Sequence, residues 1–156
     1  MARAPAPARK AKAATSAAGR AARPAITKSN YEALADFRFA IRKFLAFSEA
    51  AAKGMGLTPQ QHQALLTIKG APSEGAVSIQ QLSTRLLVQH NTAVELVDRL
   101  VEGGFVERTR DADDKRRARL ELTGEAERLL EQLSAAHLRE LQSIRPVLQN
   151  LLKQLS

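Results

Sequence analysis

The chain has 156 residues, 44% of them hydrophobic, and a formal net charge of +8, which suits one domain with a buried core and an anionic partner such as nucleic acid. Because it has no cysteine, disulfides, thiolate zinc sites and a thiol redox sensor are excluded. No apolar run approaches the roughly 20 residues that cross a bilayer and no secretory signal is recognisable, so we expect a soluble, cytoplasmic protein without membrane contact.

The positive charge is concentrated in the first 28 residues. Seven of the 24 basic residues and none of the 16 acidic ones lie there, which leaves a net charge of +1 for residues 29–156. The segment is rich in Ala, Pro and Arg and has almost nothing large to bury, so we expect a disordered basic tail over 1–28. It is either a dispensable solubilising extension or an arm that follows DNA phosphates; nothing else in the chain supports the third interpretation, an organellar transit peptide.

Three segments carry the spacing of a helix capping box. The pairs are Ser29 with Glu32, Thr58 with Gln61, and Ser78 with Gln81. The first helix is predicted over 29–54 and holds four of the five phenylalanines, which we assign mainly to core packing and partly to a partner interface or ligand pocket. The second begins with Pro59 at its first position and ends at Gly70. The third carries three leucines on its apolar side: Leu82, Leu86 and Leu87.

A fourth helix is predicted between the turn at Val88 and a glycine pair at 103–104, where a left-handed cap is available. Its apolar stripe consists of Ala93, Leu96, Val97 and Leu100. The opposite, N-terminal end is free to meet base edges in the major groove, as a recognition helix does. The residues expected to contact DNA there are Gln89, His90, Asn91, Thr92, Val94 and Glu95. This helix is itself net negative, so phosphate attraction must come from elsewhere.

A basic β-hairpin follows and can supply that attraction. Phe105 and Val106 open one strand, and Leu120 alternates with Leu122 in the return strand. The hairpin residues expected to contact DNA are Arg110, Lys115, Arg116 and Arg117. The order of capped helices, recognition helix and basic hairpin predicts a winged helix-turn-helix lobe over 58–123.

The C-terminal segment, 124–156, predicts a long helix with Thr123 as its N-cap. Apolar residues recur every three or four positions from Ala126 to Leu155, which is more than a small core can cover. We therefore expect a homodimer, with His137 as a satisfied interface residue rather than a ligand or a pH switch. Pro146 should kink this helix or split it in two.

The segments LVDRL (96–100), GGFVER (103–108) and LELT (120–123) resemble the MarR family of winged helix-turn-helix transcription regulators. The resemblance implies a mainly α fold with a small β-hairpin wing and with dimerisation helices at 29–54 and 124–156. It also implies that Arg116 enters the minor groove and that Asp98 anchors a wing arginine. Two residues depart from the family pattern: Lys115 stands where Arg is usual, and Glu95 stands where a basic or neutral residue is common.

The same resemblance implies a homodimeric repressor that leaves a pseudo-palindromic operator in double-stranded DNA when a small-molecule effector binds. The residues expected to line the effector pocket are Phe37, Arg38, Ile41, Arg42, Phe44, His62 and Leu66. The alternative is an architectural protein that binds DNA without sequence preference. An enzyme is disfavoured, because the three histidines lack metal-ligand spacing and there is no phosphate-binding glycine loop or nucleophile elbow; we expect no cofactor and no metal.

Overall fold

The computed structural model describes residues 25–72, 77–110 and 118–155. Within them, five helices and one antiparallel hairpin follow each other along the chain. The elements are α1 (Lys28–Gly54), α2 (Pro59–Lys69), α3 (Ile79–Leu86), α4 (His90–Glu102), β1 (Val106–Arg110), β2 (Ala118–Leu122) and α5 (Gly124–Leu155). The predicted fold class, mainly α with a small β-hairpin wing, is confirmed.

Local side-chain caps fix where α2 and α3 begin. The hydroxyl of Thr58 accepts the backbone N–H of Gln61 at 3.2 Å, and the Gln61 side chain accepts the N–H of Thr58 at 2.9 Å. Ser78 and Gln81 repeat this arrangement at 3.2 and 2.9 Å. Each box satisfies two N–H groups that have no partner inside the helix, and both predictions are confirmed.

The predicted start of α1 at Ser29 is wrong. The helix begins at Lys28, and its N-cap is Thr27, whose hydroxyl accepts the N–H of Asn30 at 3.3 Å. The Asn30 side chain accepts the N–H of Thr27 at 2.8 Å and so replaces the usual Glu or Gln of a capping box. Lys28, assigned to the tail, is therefore the first helical residue, and residues 1–24 of the predicted tail lie outside the described residues.

The core lies where α2, α3, α4, the hairpin and the first half of α5 meet. All four residues of the predicted α4 stripe are buried, with Val97 and Leu100 fully so. Val106 and Leu120, on one face of the hairpin, are buried against the same core. Since burial of apolar area is the main source of stability, this core holds α4 in a fixed position relative to the hairpin.

Helices α1 and α5 run antiparallel and pack against each other. The side chain of Asn30, near the start of α1, donates to Gln154 at the end of α5 at 3.5 Å. The buried residues of α1 are the alanines at positions 33, 40 and 52, and none of its four phenylalanines is buried. Phe37, Phe44 and Phe47 are half-buried and Phe39 is exposed, and none belongs to the buried core, so the assignment of most phenylalanines to core packing is wrong for a single chain. Helix α5 continues through Pro146, so it is not split in two; a kink there stays a prediction.

The turn between α3 and α4 contains a leucine in an unfavourable backbone conformation. Leu87 has φ 55° and ψ 40°, the only non-glycine residue with positive φ among those the structure describes. Its side chain is 92% exposed, unlike that of the buried Leu82 with which the sequence pattern grouped it. The left-handed conformation ends α3, and burial of the side chain contributes nothing to offset its strain.

Replacing Leu87 by glycine is expected to raise the free energy of unfolding by about 0.5–1 kcal/mol, because relief of strain exceeds the added entropy of the unfolded chain. Denaturant unfolding of the two proteins measures the difference. Leu87→Ala keeps a Cβ in the left-handed conformation and serves as the matched control. A glycine variant no more stable than the alanine variant would contradict the prediction.

Candidate nucleic-acid interface

The N-terminal end of α4 presents the residues predicted to contact bases to solvent. Val94 is half-buried, and the other five, Gln89, His90, Asn91, Thr92 and Glu95, are exposed. Gln89 occupies the N-cap position without a side-chain capping bond, unlike the caps of α2 and α3. Because the buried stripe fixes the opposite side of α4, these polar side chains stand on a rigid support.

The acidic character of α4 is reduced by two ion pairs. Arg99 donates to Glu95 at 3.2 Å, one turn earlier on the helix, and both side chains are largely exposed. Such a pair is weak in water, but it places a cation beside the Glu95 carboxylate, one of the acids that make this helix net negative. The second pair, between Asp98 and Arg108, connects α4 to the wing.

Asp98 accepts a hydrogen bond from the Arg108 guanidinium at 2.5 Å. Arg108 lies in β1 opposite Leu120, so the contact joins the recognition helix to the first strand of the hairpin. The anchoring role that the family resemblance implied for Asp98 is confirmed, with Arg108 as the partner. The bond links the wing to α4 and engages the Arg108 guanidinium.

Thr123 connects the wing, α5 and the end of α4, whereas the sequence predicted only that it caps α5. Its hydroxyl accepts the N–H of Ala126 at 3.2 Å, which confirms the cap of α5. The same hydroxyl donates to the carbonyl of Gly104 at 2.8 Å, and the backbone N–H of Thr123 donates to Phe105 at 3.1 Å. One residue thus closes the base of the wing, caps α5 and contacts the end of α4. No signal in the local sequence shows the bond to Gly104, because it depends on hairpin pairing.

Most predicted contact residues of the wing lie outside the described residues: Lys115, Arg116 and Arg117. The backbone of Arg110 pairs with Ala118 at the end of the hairpin next to the connecting residues 111–117. Arg119, in β2, forms an ion pair with Glu121 at 3.3 Å. The assignment of the wing-tip cations to DNA contact therefore stays a prediction.

Residues 55–117, which include the exposed end of α4 and its wing anchor, match the sequence model of the MarR family. They form a MarR-family domain.

Solved structures extend the similarity from this MarR-family domain to α1 and α5. A MarR family protein from Bacillus stearothermophilus superposes with a TM-score of 0.66 at 23% identity, over 84% of this chain and 96% of that one. MepR, a transcription regulator of the Staphylococcus aureus multidrug efflux pump MepA, has a TM-score of 0.64 at 17% identity, over 84% of this chain and 100% of that one. A MepR mutant bound to an oligodeoxyribonucleotide has a TM-score of 0.61 at 19% identity, over 81% of this chain and 98% of that one. At these identities the likeness shows the fold.

No curated protein matches the sequence significantly. The family match and the shared fold support a DNA-binding regulator of transcription. Among the described residues, no helix is long and apolar enough to cross a membrane. Within the same part of the chain, no group of three or more His, Asp or Glu side chains is placed to hold a metal ion.

The seven residues predicted to line an effector pocket occupy different surroundings in the single MarR-fold chain. His62 is buried, Phe37 and Phe44 are half-buried, and Arg38, Ile41, Arg42 and Leu66 are exposed. Leu66 lines a groove of about 380 Å³ between α2 and α5, whose other walls include Leu130 and Ser134. A common pocket formed by these seven residues stays a prediction.

Two buried histidines lie where α2 of the MarR-family domain meets α5. His62 is 3% exposed and His137 is 9% exposed, and their ring centroids are 4.7 Å apart. His137 Nδ1 lies 2.6 Å from the carbonyl oxygen of Leu133 and must donate to it, because a carbonyl only accepts. His137 Nε2 then accepts from the hydroxyl of Ser48 on α1 at 2.8 Å. His137 is thus satisfied within its own chain, whereas His62 Nδ1 is buried without a partner.

The stability of the chain should fall in mild acid because of His62. Burial first, and then the neighbouring His137, lower the pKa of His62 below its ordinary value of 6.5. The His62 side chain therefore binds a proton more readily in the unfolded chain than in the folded one. The stability that neutral His62 contributes is fully present above about pH 6.5 and is lost as the pH falls below that value, by no more than about 1.4 kcal/mol per pH unit. Denaturant unfolding between about pH 7.5 and about pH 5 should show a steeper loss for the wild type than for His62→Leu. Parallel pH profiles for the two proteins would contradict this.

Proposed function

We propose that the protein is a homodimeric repressor that binds a pseudo-palindromic operator through α4 and the wing. The observation that carries the proposal is the exposed polar end of α4, held by a buried apolar stripe and linked to the wing by Asp98 and Arg108. In this function Gln89, Asn91 and their neighbours contact bases in the major groove, and the wing-tip cations contact phosphates and the adjacent minor groove.

Dimerisation is proposed from apolar side chains that the single chain leaves exposed on α1, on α5 and just before α1. They are Ile26, Tyr31, Leu34, Phe39, Ile41, Leu45, Leu138, Leu141 and Leu152. We call these residues the apolar strip. An exposed set of this extent is characteristic of an interaction site.

The apolar residues that recur every three or four positions along α5 also support dimerisation. The first half of this series, from Ala126 to His137, is buried against the chain's own core, whereas Leu141 is exposed and the apolar residues at 144, 148 and 151 are half-buried. The second half therefore needs a partner. A twofold dimer formed there would present two α4 helices to half-sites about 34 Å apart along the duplex.

Release by a small-molecule effector is part of the proposal. The groove between α2 and α5 joins the DNA-binding lobe to a dimerisation helix, so a ligand there could change the position of α4. Calorimetry and DNA-release assays with aromatic acids and acyl thioesters test this. Binding that survives both Phe44→Ala and Leu66→Ala without loss would contradict the pocket assignment.

The central test is a competition between the intergenic DNA upstream of the protein's own gene and random duplex at physiological salt. A specific regulator should prefer its operator by about a thousandfold or more. A preference of only a few-fold would contradict the proposal and favour an architectural protein that binds without sequence preference.

Asn91 and Arg116 are expected to have separable roles in this assay. Asn91→Ala removes a candidate adenine contact, so it should change the preferred bases and weaken the operator by about 1–3 kcal/mol while leaving random DNA nearly unaffected. Arg116→Ala removes a wing cation, so it should weaken operator and random DNA alike and reduce the salt dependence of binding. Equal losses on both DNAs from both variants would refute this division.

A further inference from the structure

The histidine pair joins the DNA-binding lobe to the two proposed dimerisation helices. His62 belongs to α2 of the lobe and His137 to α5, and their rings meet at 4.7 Å. Helix α1 completes the cluster with Ser48 and with the edges of two phenyl rings, Phe44 and Phe47, at 5.7 and 5.4 Å from the His137 ring. Whatever separates these rings moves the lobe, and with it α4, relative to the proposed dimer axis.

The cluster accommodates two neutral rings but not two charged ones. Both ring nitrogens of His137 have hydrogen-bond partners, the Leu133 carbonyl and the Ser48 hydroxyl. A proton on His62 would create a charge at the buried Nδ1, which has no acceptor. Two protons would place like charges on rings 4.7 Å apart. Charging the pair is therefore favourable only when His62 gains access to water.

Among the residues that the structure describes, no nearby carboxylate compensates for such a charge. The charged residues closest to the cluster along α1 and α5 are Lys43, Glu49, Arg139 and Glu140. The first three are exposed, and the carboxylate of Glu140 lies 3.4 Å from the Ser143 hydroxyl, one turn further along α5. On α2 the residues on either side of His62 are the uncharged Gln61 and Gln63. The protonated state thus gains its stabilisation from solvent.

We propose that the His62–His137 pair is a proton switch of DNA binding, in which uptake of a proton opens the contact of α2 with α1 and α5 and lowers operator affinity. The inference rests on the proposed function, since it names a regulation of the same DNA-binding surface. A proton shifts the population toward the open form because only that form hydrates the charge. The switch predicts weaker DNA binding in acid, whereas added positive charge ordinarily strengthens binding to DNA, so the sign of the pH effect distinguishes the two.

The size of the effect follows from proton linkage. If His62 titrates near its ordinary pKa in the open form and resists protonation in the closed form, each subunit should lose up to roughly tenfold in affinity between about pH 7.5 and about pH 5.5. The third histidine, His90, lies on the proposed DNA surface. Its contribution must be removed by substitution.

The experiment measures operator affinity of the full chain by fluorescence anisotropy at about pH 7.5 and about pH 5.5, at constant ionic strength, in a His90→Gln background and in the wild type. Each of the variants His62→Leu and His137→Gln is compared with itself at the two pH values. We expect an acid loss of up to roughly tenfold for each subunit with an intact histidine pair, and a ratio within about twofold in either variant. Circular dichroism at both pH values monitors folding, and the second variant covers the case in which the first fails to fold.

Three results would overturn the switch: an intact pair with the same affinity at both pH values, an acid loss that persists in both variants, or a loss that coincides with unfolding. A measurement without DNA distinguishes failure of the switch from failure of the proposed function. The protection factors of the α2 amides, which are exchange rates divided by the intrinsic rate at the same pH, should fall in acid only when His62 is present. Lower protection together with absent operator binding would sink the regulator proposal and leave the proton response of the junction supported. Operator binding with unchanged protection would sink the switch alone.

Discussion

Replacing Phe39 by glutamate is expected to convert the protein into monomers and to lower its operator affinity about a hundredfold. Phe39 is 65% exposed on α1 and borders a shallow groove of about 210 Å³ between α1 and α5, with Ile144 and Val147 on its other side. It contributes little to the core of its own chain, so the monomer should stay folded. In a dimer built on the apolar strip, the new carboxylate would be buried without a partner, which is strongly unfavourable.

The loss of affinity follows from the loss of the second half-site. A dimer binds both half-sites in one step, whereas a monomer gains only the contacts of one α4 helix and one wing. Light scattering gives the mass, and anisotropy on the operator gives the affinity. Met55→Glu is the matched control, because Met55 is 40% exposed at the end of α1 but lies outside the apolar strip. A Phe39→Glu protein that remains dimeric and binds the operator fully would show that the interface lies elsewhere.

The parts of the fold that depend on neighbouring residues could be predicted from the sequence. The boxes of α2 and α3 need only a hydroxyl and a glutamine three residues apart, and both form. The stripe of α4 follows from helical periodicity, and all its members are buried. The start of α1 was misplaced because Asn30, rather than Glu or Gln, completes the box with Thr27.

The phenylalanines of α1 show a second limit of prediction from the sequence. An apolar residue at helical spacing can serve the chain's own core or a second chain, and hydrophobicity alone does not distinguish the two. The structure assigns the inner side of α1 to alanines and leaves Phe39 in solvent. Leu87 is a similar case, because its exposure follows from the left-handed end of α3 and not from the spacing of leucines.

Contacts between distant residues could not be derived from local pattern. The bond of Asp98 to Arg108 crosses the turn into the hairpin, and it was expected only through the family resemblance. The approach of His62 to His137 requires α2 and α5 to pack, although the two residues lie 75 positions apart in the sequence. Such contacts depend on tertiary structure, and the histidine pair is the clearest example in this chain.

Leu100→Ala is expected to lower the free energy of unfolding by about 3 kcal/mol or more, the largest stability effect of the substitutions considered. Leu100 is fully buried on the stripe of α4, within the same core as Leu65 and Val106. Alanine removes the methyl groups that fill this space and leaves a cavity that a close-packed core closes only in part. For a chain of this size the thermal midpoint should fall by roughly 10 °C.

The next residue provides the control, because Val101→Ala removes apolar atoms from the same turn of α4 at a side chain that is 37% exposed. We expect a loss below about 1 kcal/mol for this variant, since more than a third of the Val101 surface already meets water and only two methyl groups are removed. Well below the new thermal midpoint, operator affinity of Leu100→Ala should change less than its stability does, because Asn91 lies more than two turns away at the other end of the helix. Losses of stability that are equal for the two variants would mean that α4 is not seated on the core through Leu100, and the rigid support for the DNA-contacting residues would then be absent.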